Sequence, residues 1–119
     1  MASTQVPVYI ELYNTLISKI ISKQIEPNQQ LPSVRELSLE YKINPNTIQK
    51  TLNMLDSQGI TYIERGQGRY LTSDLELLEN IKNKFISELV QDFIERCRDI
   101  GIEKDEIIKI IERGILWIY

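Results

Sequence analysis

Asn46, Thr47, Gln49 and Lys50 crowd one short segment opened by Asn44-Pro45, and their chemistry suits the reading of polar edges beside fixed negative charge. The amides of Asn46 and Gln49 donate and accept at once, as bidentate bonding to adenine requires, and a neighbouring lysine suits a phosphate. Thr47 can join them or simply support the first turn of a helix. A further cation, Arg35, lies upstream behind Ser33. A third cluster follows in Arg65-Gly66-Gln67-Gly68-Arg69, where glycines between two cations let the backbone come close to another surface. As structure alone, these residues would be a solvated helix face, an ion pair of Arg35 with Glu36 or Glu40, and an ordinary hairpin turn. The basic groups beside each amide or glycine cluster tip the reading toward nucleic acid.

Other chemistries find little support. The chain has no histidine, which removes Ser-His and Cys-His nucleophile pairs and the imidazole base. One cysteine, Cys97, excludes an internal disulfide and leaves no expected zinc site, so neither catalysis nor a cofactor is expected. Cys97 falls on an apolar helix face and reads as core. With 119 residues, 42% hydrophobic and 26% charged, the composition is that of an ordinary globular chain. A formal net charge of −3 sits poorly with a DNA partner until it is divided along the chain. Residues 1–72 hold seven Lys/Arg against six Asp/Glu, and the remainder seven against eleven, so the front part can offer a basic face. No secretory segment and no apolar run of about 18 residues is found, which predicts no membrane insertion and a cytoplasmic location.

The elements that must position these groups can be read from their ends. Ser33 with Glu36 three residues on forms a capping box that starts a helix over Val34 to Tyr41. After the turn Lys42-Ile43, Asn44 caps a second helix whose first position is Pro45, where a missing N–H costs nothing. Two helix starts this close together predict a helix-turn-helix, with Ile48, Leu52 and Leu55 facing inward. Ahead of it, Pro7 opens a helix from about Val8 to Lys23, and Gln30-Leu31 can add a short strand. Behind it, Gly59 ends the helix, and Ile60–Arg65 and Arg69–Thr72 read as strands joined by Gly66-Gln67-Gly68. A helix-turn-helix followed by a hairpin is a winged helix. Ser73 with Glu76 then reads as a second capping box for a long helix to about Ile100, closed by Gly101. A last helix runs from about Lys104 to Ile118.

Pro7-Val8-Tyr9, Leu31-Pro32-Ser33-Val34-Arg35-Glu36-Leu37, Asn44-Pro45-Asn46-Thr47-Ile48-Gln49-Lys50 and Glu64-Arg65-Gly66-Gln67-Gly68-Arg69-Tyr70-Leu71 together resemble the DNA-binding domain of GntR-family bacterial regulators. The Asn-Pro-Asn-Thr start and the two-helix tail are similar to the YtrA-type subfamily. That resemblance implies a dimer, commonly a repressor of transporter operons. It also implies DNA contacts by Ser33, Arg35, Asn46, Thr47, Gln49 and Lys50 in the helix-turn-helix, and by Arg65, Gly66, Gln67, Gly68 and Arg69 in the wing. The chain departs from the broader family in having no arginine in the recognition helix.

The expectation is therefore a mainly α fold with a small β-hairpin, in which a winged helix-turn-helix (7–72) is followed by a helical dimerisation region (73–119). Leu78, Ile81, Phe85, Leu89, Phe93, Ile107, Ile111, Ile115 and Trp117 are expected at the dimer interface, because two helices alone cannot bury so much apolar surface. The expected function is sequence-specific binding of double-stranded DNA at an inverted repeat by a homodimeric repressor. A small molecule or peptide is one expected means of releasing it. The alternative is a winged helix serving as a protein interaction module.

Overall fold

The computed structural model describes residues 6–119, in which five helices accompany a two-stranded antiparallel sheet. Two compact units share the chain, one ending at Glu79 and the other running Asn80–Tyr119. The expected boundary after Thr72 lies just ahead of the fourth helix, whereas the units part inside that helix.

In the first unit, helix α1 (Val8–Ile21) follows Pro7 and buries Leu12, Leu16, Ile17 and Ile20. It stops short of the expected Lys23 because that residue is left-handed, with φ 64°. The Lys23 N–H bonds the Ile20 carbonyl and the Gln24 N–H that of Lys19, satisfying acceptors the helix end would leave free. Helix α2 (Val34–Tyr41) has the full capping box: Ser33 Oγ accepts from the Glu36 N–H at 3.1 Å and Glu36 Oε1 from the Ser33 N–H at 3.0 Å. Lys42, left-handed at φ 55°, turns the chain, and Ser38 Oγ donates to the Ile43 carbonyl at 2.6 Å to hold that turn. Helix α3 (Pro45–Ser57) then begins behind Asn44, whose Oδ1 accepts from the Asn46 N–H.

Ile48, Leu52 and Leu55 of α3 are fully buried, as their spacing predicts, and pack with Leu12, Leu16, Leu37, Ile60 and Leu71 in the core of this unit. Thr51, also fully buried, donates to the Tyr9 carbonyl at 2.8 Å, which ties α3 to the first turn of α1. Gly59, at φ 74°, ends α3: its N–H bonds the Asp56 carbonyl while the Ile60 N–H reaches back to Leu55. The hairpin pairs β1 (Thr61–Glu64) with β2 (Gly68–Leu71), placing Thr61 opposite Leu71 and Ile63 opposite Arg69. The expected addition at Gln30 is a single bridge to Tyr70, flanked by hydrogen bonds from Leu31 N–H to Arg69 and from Leu71 N–H to Gln29.

Helix α4 (Leu75–Asp99) starts one residue later than expected. Asp74, not Ser73, is the cap: its Oδ1 accepts from the Leu77 N–H at 3.1 Å, and Thr72 Oγ1 in turn accepts from the Asp74 N–H. The helix closes on Gly101, φ 81°, with the Ile102 N–H on the Cys97 carbonyl. Helix α5 (Lys104–Ile118) follows. In Asn80–Tyr119 only Cys97 and Ile107 are buried, so Cys97 is core, as read from its helix face. Ile107, expected at a dimer interface, is already covered within its own chain. Leu89, Phe93, Ile111, Ile115 and Trp117 are exposed, and Ile81 and Phe85 half-buried. Ile86, Val90 and Ile94 extend this face in four-residue steps and are exposed too. The last turn is barest, with Leu116 at 83% and Trp117 at 90% exposure.

Candidate nucleic-acid interface

The burial of Ile48, Leu52 and Leu55 fixes the rotation of α3, and at 100° per residue the opposite side then carries Asn46, Gln49, Lys50 and Asn53. All four are exposed, while Thr47 is half-buried at the first turn. The amides are not equivalent. Gln49 Nε2 donates to Asn53 Oδ1 at 2.8 Å, an i,i+4 bond that presets the amide's orientation and leaves Gln49 Oε1 turned to accept. Lys50 Nζ stands 3.9 Å from the centroid of the Tyr9 ring, a cation–π contact that steers the charge toward the start of α1. Arg35, in the first turn of α2, is exposed, and Ser33 beside it is committed to its capping box. The Glu36 carboxyl of that box is held below its ordinary value by the Ser33 backbone N–H and then by the Ser33 hydroxyl.

The wing turn is made at Gly66, φ 76°, with the Gln67 N–H on the Glu64 carbonyl at 2.8 Å. Gln30, from the loop after α1, donates from Nε2 to the Gln67 carbonyl at 2.9 Å. Gly68 is favoured as glycine by its φ of 126°, which L side chains rarely adopt, and a Cβ there would push the Gln30 amide from its place. Arg65 and Gln67 are exposed at the tip. Arg69, expected as the second basic shoulder, turns inward instead. Its Nε and Nη2 grip Asp56 Oδ1 and Oδ2 at 3.0 and 2.9 Å, and its side chain is only 11% exposed. Thr61 Oγ1 adds a 2.6 Å bond to the same Oδ1. Burial, the largest influence on Asp56, pushes its carboxyl up, but the Arg69 and Thr61 hydrogen bonds and the arginine charge outweigh it. The group is held below its ordinary value.

Helix-turn-helix and wing thus present exposed amides, cations and glycine backbone from one unit. Gln30, Tyr9 and Asp56 carry no signal for such a role in the sequence, because their partners lie 37, 41 and 13 positions away. Among the described residues there is no His/Cys/Asp/Glu group able to hold a metal, and no helix long and apolar enough to cross a membrane.

A winged helix-turn-helix with this face is a DNA-binding module. Residues 8–71 match the profile described as bacterial regulatory proteins, gntR family. The chain is 31% identical over 106 residues to the HTH-type transcriptional regulator YhcF of Bacillus subtilis, covering 89% of this chain and 88% of that one. It is 29% identical over 103 residues to the HTH-type transcriptional repressor YtrA of the same organism, covering 85% and 78%. Among solved structures, a GntR family transcriptional regulator from Listeria monocytogenes superposes with a TM-score of 0.85 at 31% identity, over 94% of this chain and 98% of that one. The DNA-binding domain of AraR, solved in complex with operator ORR3, superposes over 60% of this chain and 87% of its own, with TM-score 0.57 and 28% identity. The chain belongs to the gntR family of bacterial regulatory proteins, and YtrA is among the members it is similar to. It is a DNA-binding transcriptional regulator and not an enzyme.

Proposed function

We propose that the protein is a homodimeric repressor that acts in the cytoplasm on an inverted-repeat operator. The observation that carries this reading is the apolar face of Asn80–Tyr119: Leu89, Val90, Phe93, Ile94, Ile111 and Ile115 are all exposed in the single chain. A face of that kind asks for a cover, and a second copy supplies a complementary one under two-fold symmetry. Two winged units so related would read two half-sites in major grooves about 34 Å apart. Within each half-site, Arg35, Asn46, Gln49 and Lys50 serve the major groove, with Thr47 and Ser33 supporting them. Arg65, Gly66, Gln67 and Gly68 serve the adjoining minor groove.

The similarity to the repressor YtrA supports the sign of regulation, and the YtrA-type resemblance extends the proposal to a transporter operon released by an effector. A cleft lined by Ile94, Ile102, Ile108 and Ile111, with Arg98 and Lys104 beside them, shares Ile94 and Ile111 with the proposed dimer face, so an effector held there would sit in the dimer crevice. For release, such a ligand must favour one arrangement of the dimer over another, since equal affinity shifts nothing.

Fluorescence anisotropy on DNA from the gene's own upstream region, with excess unrelated duplex and sedimentation of the same samples, tests the reading. Two chains per site with competitor-resistant binding is the expected result, and Phe93→Glu should yield a monomer that binds far more weakly. A wild-type chain that is monomeric and occupies its site singly would overturn the dimer.

A further inference from the structure

The wing is a two-stranded hairpin, and such a ribbon has little stability of its own in water. Its tip can meet a groove in a fixed register only if something outside the ribbon holds it. Main-chain bonds between β2 and Asn28, Gln29 and Leu31 do so along its outer edge, and side-chain contacts add to them. Gln30 holds the tip through the Gln67 carbonyl, and Arg69 holds the returning strand to the last turn of the recognition helix through Asp56. Asp56 is a costly residue in that place, since a carboxylate at a helix C-terminus opposes the helix dipole. The two-pronged bond from Arg69 and the bond from Thr61 offset that cost, and they join three elements at one carboxylate: α3, β1 and β2.

We propose that Asp56 and Arg69 are positioning residues for DNA recognition, a clamp that fixes the wing relative to the recognition helix so that both engage one half-site together. Arg69 therefore serves the wing without touching DNA. A two-pronged guanidinium–carboxylate pair sets distance and plane at once, which a single bond or a lysine does not. When the clamp is opened, the recognition helix still enters its groove, while the wing tip with Arg65 and Gln67 samples many positions and loses its contact.

The test uses the full chain and a duplex that the wild type selects from a random pool. Asp56→Asn, Arg69→Gln and the double variant are compared for affinity, salt dependence, hydroxyl-radical protection and melting temperature. The clamp predicts that either single change weakens binding by roughly tenfold and that the double variant is no worse than either, because the two residues act as one unit. Protection should vanish at the minor-groove flank and persist in the major groove. The slope of log affinity against log salt should change equally in the two single variants, through the lost wing contacts alone. If Arg69→Gln weakens binding and flattens the slope while Asp56→Asn binds as well as wild type or better, Arg69 is a direct phosphate contact and the proposal fails. If both variants melt lower yet bind normally, the pair is structural only and the proposal fails equally. Arg69→Lys, which keeps the charge but not the two-pronged grip, decides the matter if the neutral variants do not fold. Weakened binding with minor-groove protection lost supports the clamp, and wild-type affinity overturns it.

Discussion

Lys50 gives the sharpest test of the proposed DNA face. Its ammonium lies over the Tyr9 ring, exposed and without an acidic partner among the ion pairs of the described residues. If it meets a phosphate, Lys50→Ala removes one released counterion per half-site, worth about 0.9 in the slope of log affinity against log salt, or about 1.8 for a symmetric dimer. Between about 50 and 200 mM salt, a slope change of that size makes the variant's deficit at low salt roughly twelvefold larger than at high salt. Anisotropy titrations at four or five salt concentrations measure this directly. Tyr9→Leu is the internal control: the charge stays while its support goes, so affinity should fall modestly with the slope retained. The stability lost with the cation–π contact should be no more than about 0.5–1 kcal/mol at such an exposed site, leaving the fold intact. Parallel lines for Lys50→Ala and wild type, at equal affinity, would refute the phosphate assignment.

Other consequences concern the scaffold. Leu52→Ala should cost about 2–5 kcal/mol by thermal or chemical melting, because Leu52 is fully buried in the core of the first unit; a loss below about 1 kcal/mol would contradict that packing. Asn44→Ala removes the cap on the Asn46 N–H and should cost about 0.5–2 kcal/mol, measured by the same melts, with DNA affinity falling as the reading end of α3 frays. Acid should loosen the Asp56 clamp. A carboxylate held below its ordinary value of 3.8 contributes stability that is present above that pH and is lost as pH falls through the lower folded value. Melting temperature followed downward from pH 5 should therefore drop more steeply for wild type than for Asp56→Asn, and equal pH dependence would count against the pair.

The parts legible in the sequence are those whose signals are local. Ser33 with Glu36 and Asn44 with Pro45 mark helix starts within four residues, and both caps form as read. The second capping box shows the limit of the same rule. Ser73 and Asp74 are both good caps, and the choice between them fell to Asp74 once Thr72 bonded its N–H. The pairing of Arg69 with Asp56 was illegible, since a cation beside glycines looks like a wing shoulder until a carboxylate from another element is brought to it. On α4, the stripe from Leu78 to Ile100 was apparent, while Ile86, Val90 and Ile94 lay beyond its three- and four-residue steps. The structure exposes them beside that stripe as part of a wider apolar arc. Burial of Ile107 depends on contacts beyond its own helix, which helical periodicity does not encode.

The exposed apolar arc also bears on how the regulator answers to its own abundance. With pairing through that face, the species that grips DNA is assembled from two chains, so dilution removes it twice over. Well below the concentration at which half the chains are paired, and while the operator is mostly free, its occupancy rises with the square of the chain's concentration. A halving of supply would then cut the bound regulator about fourfold rather than twofold, which makes dosage itself a control on the operator.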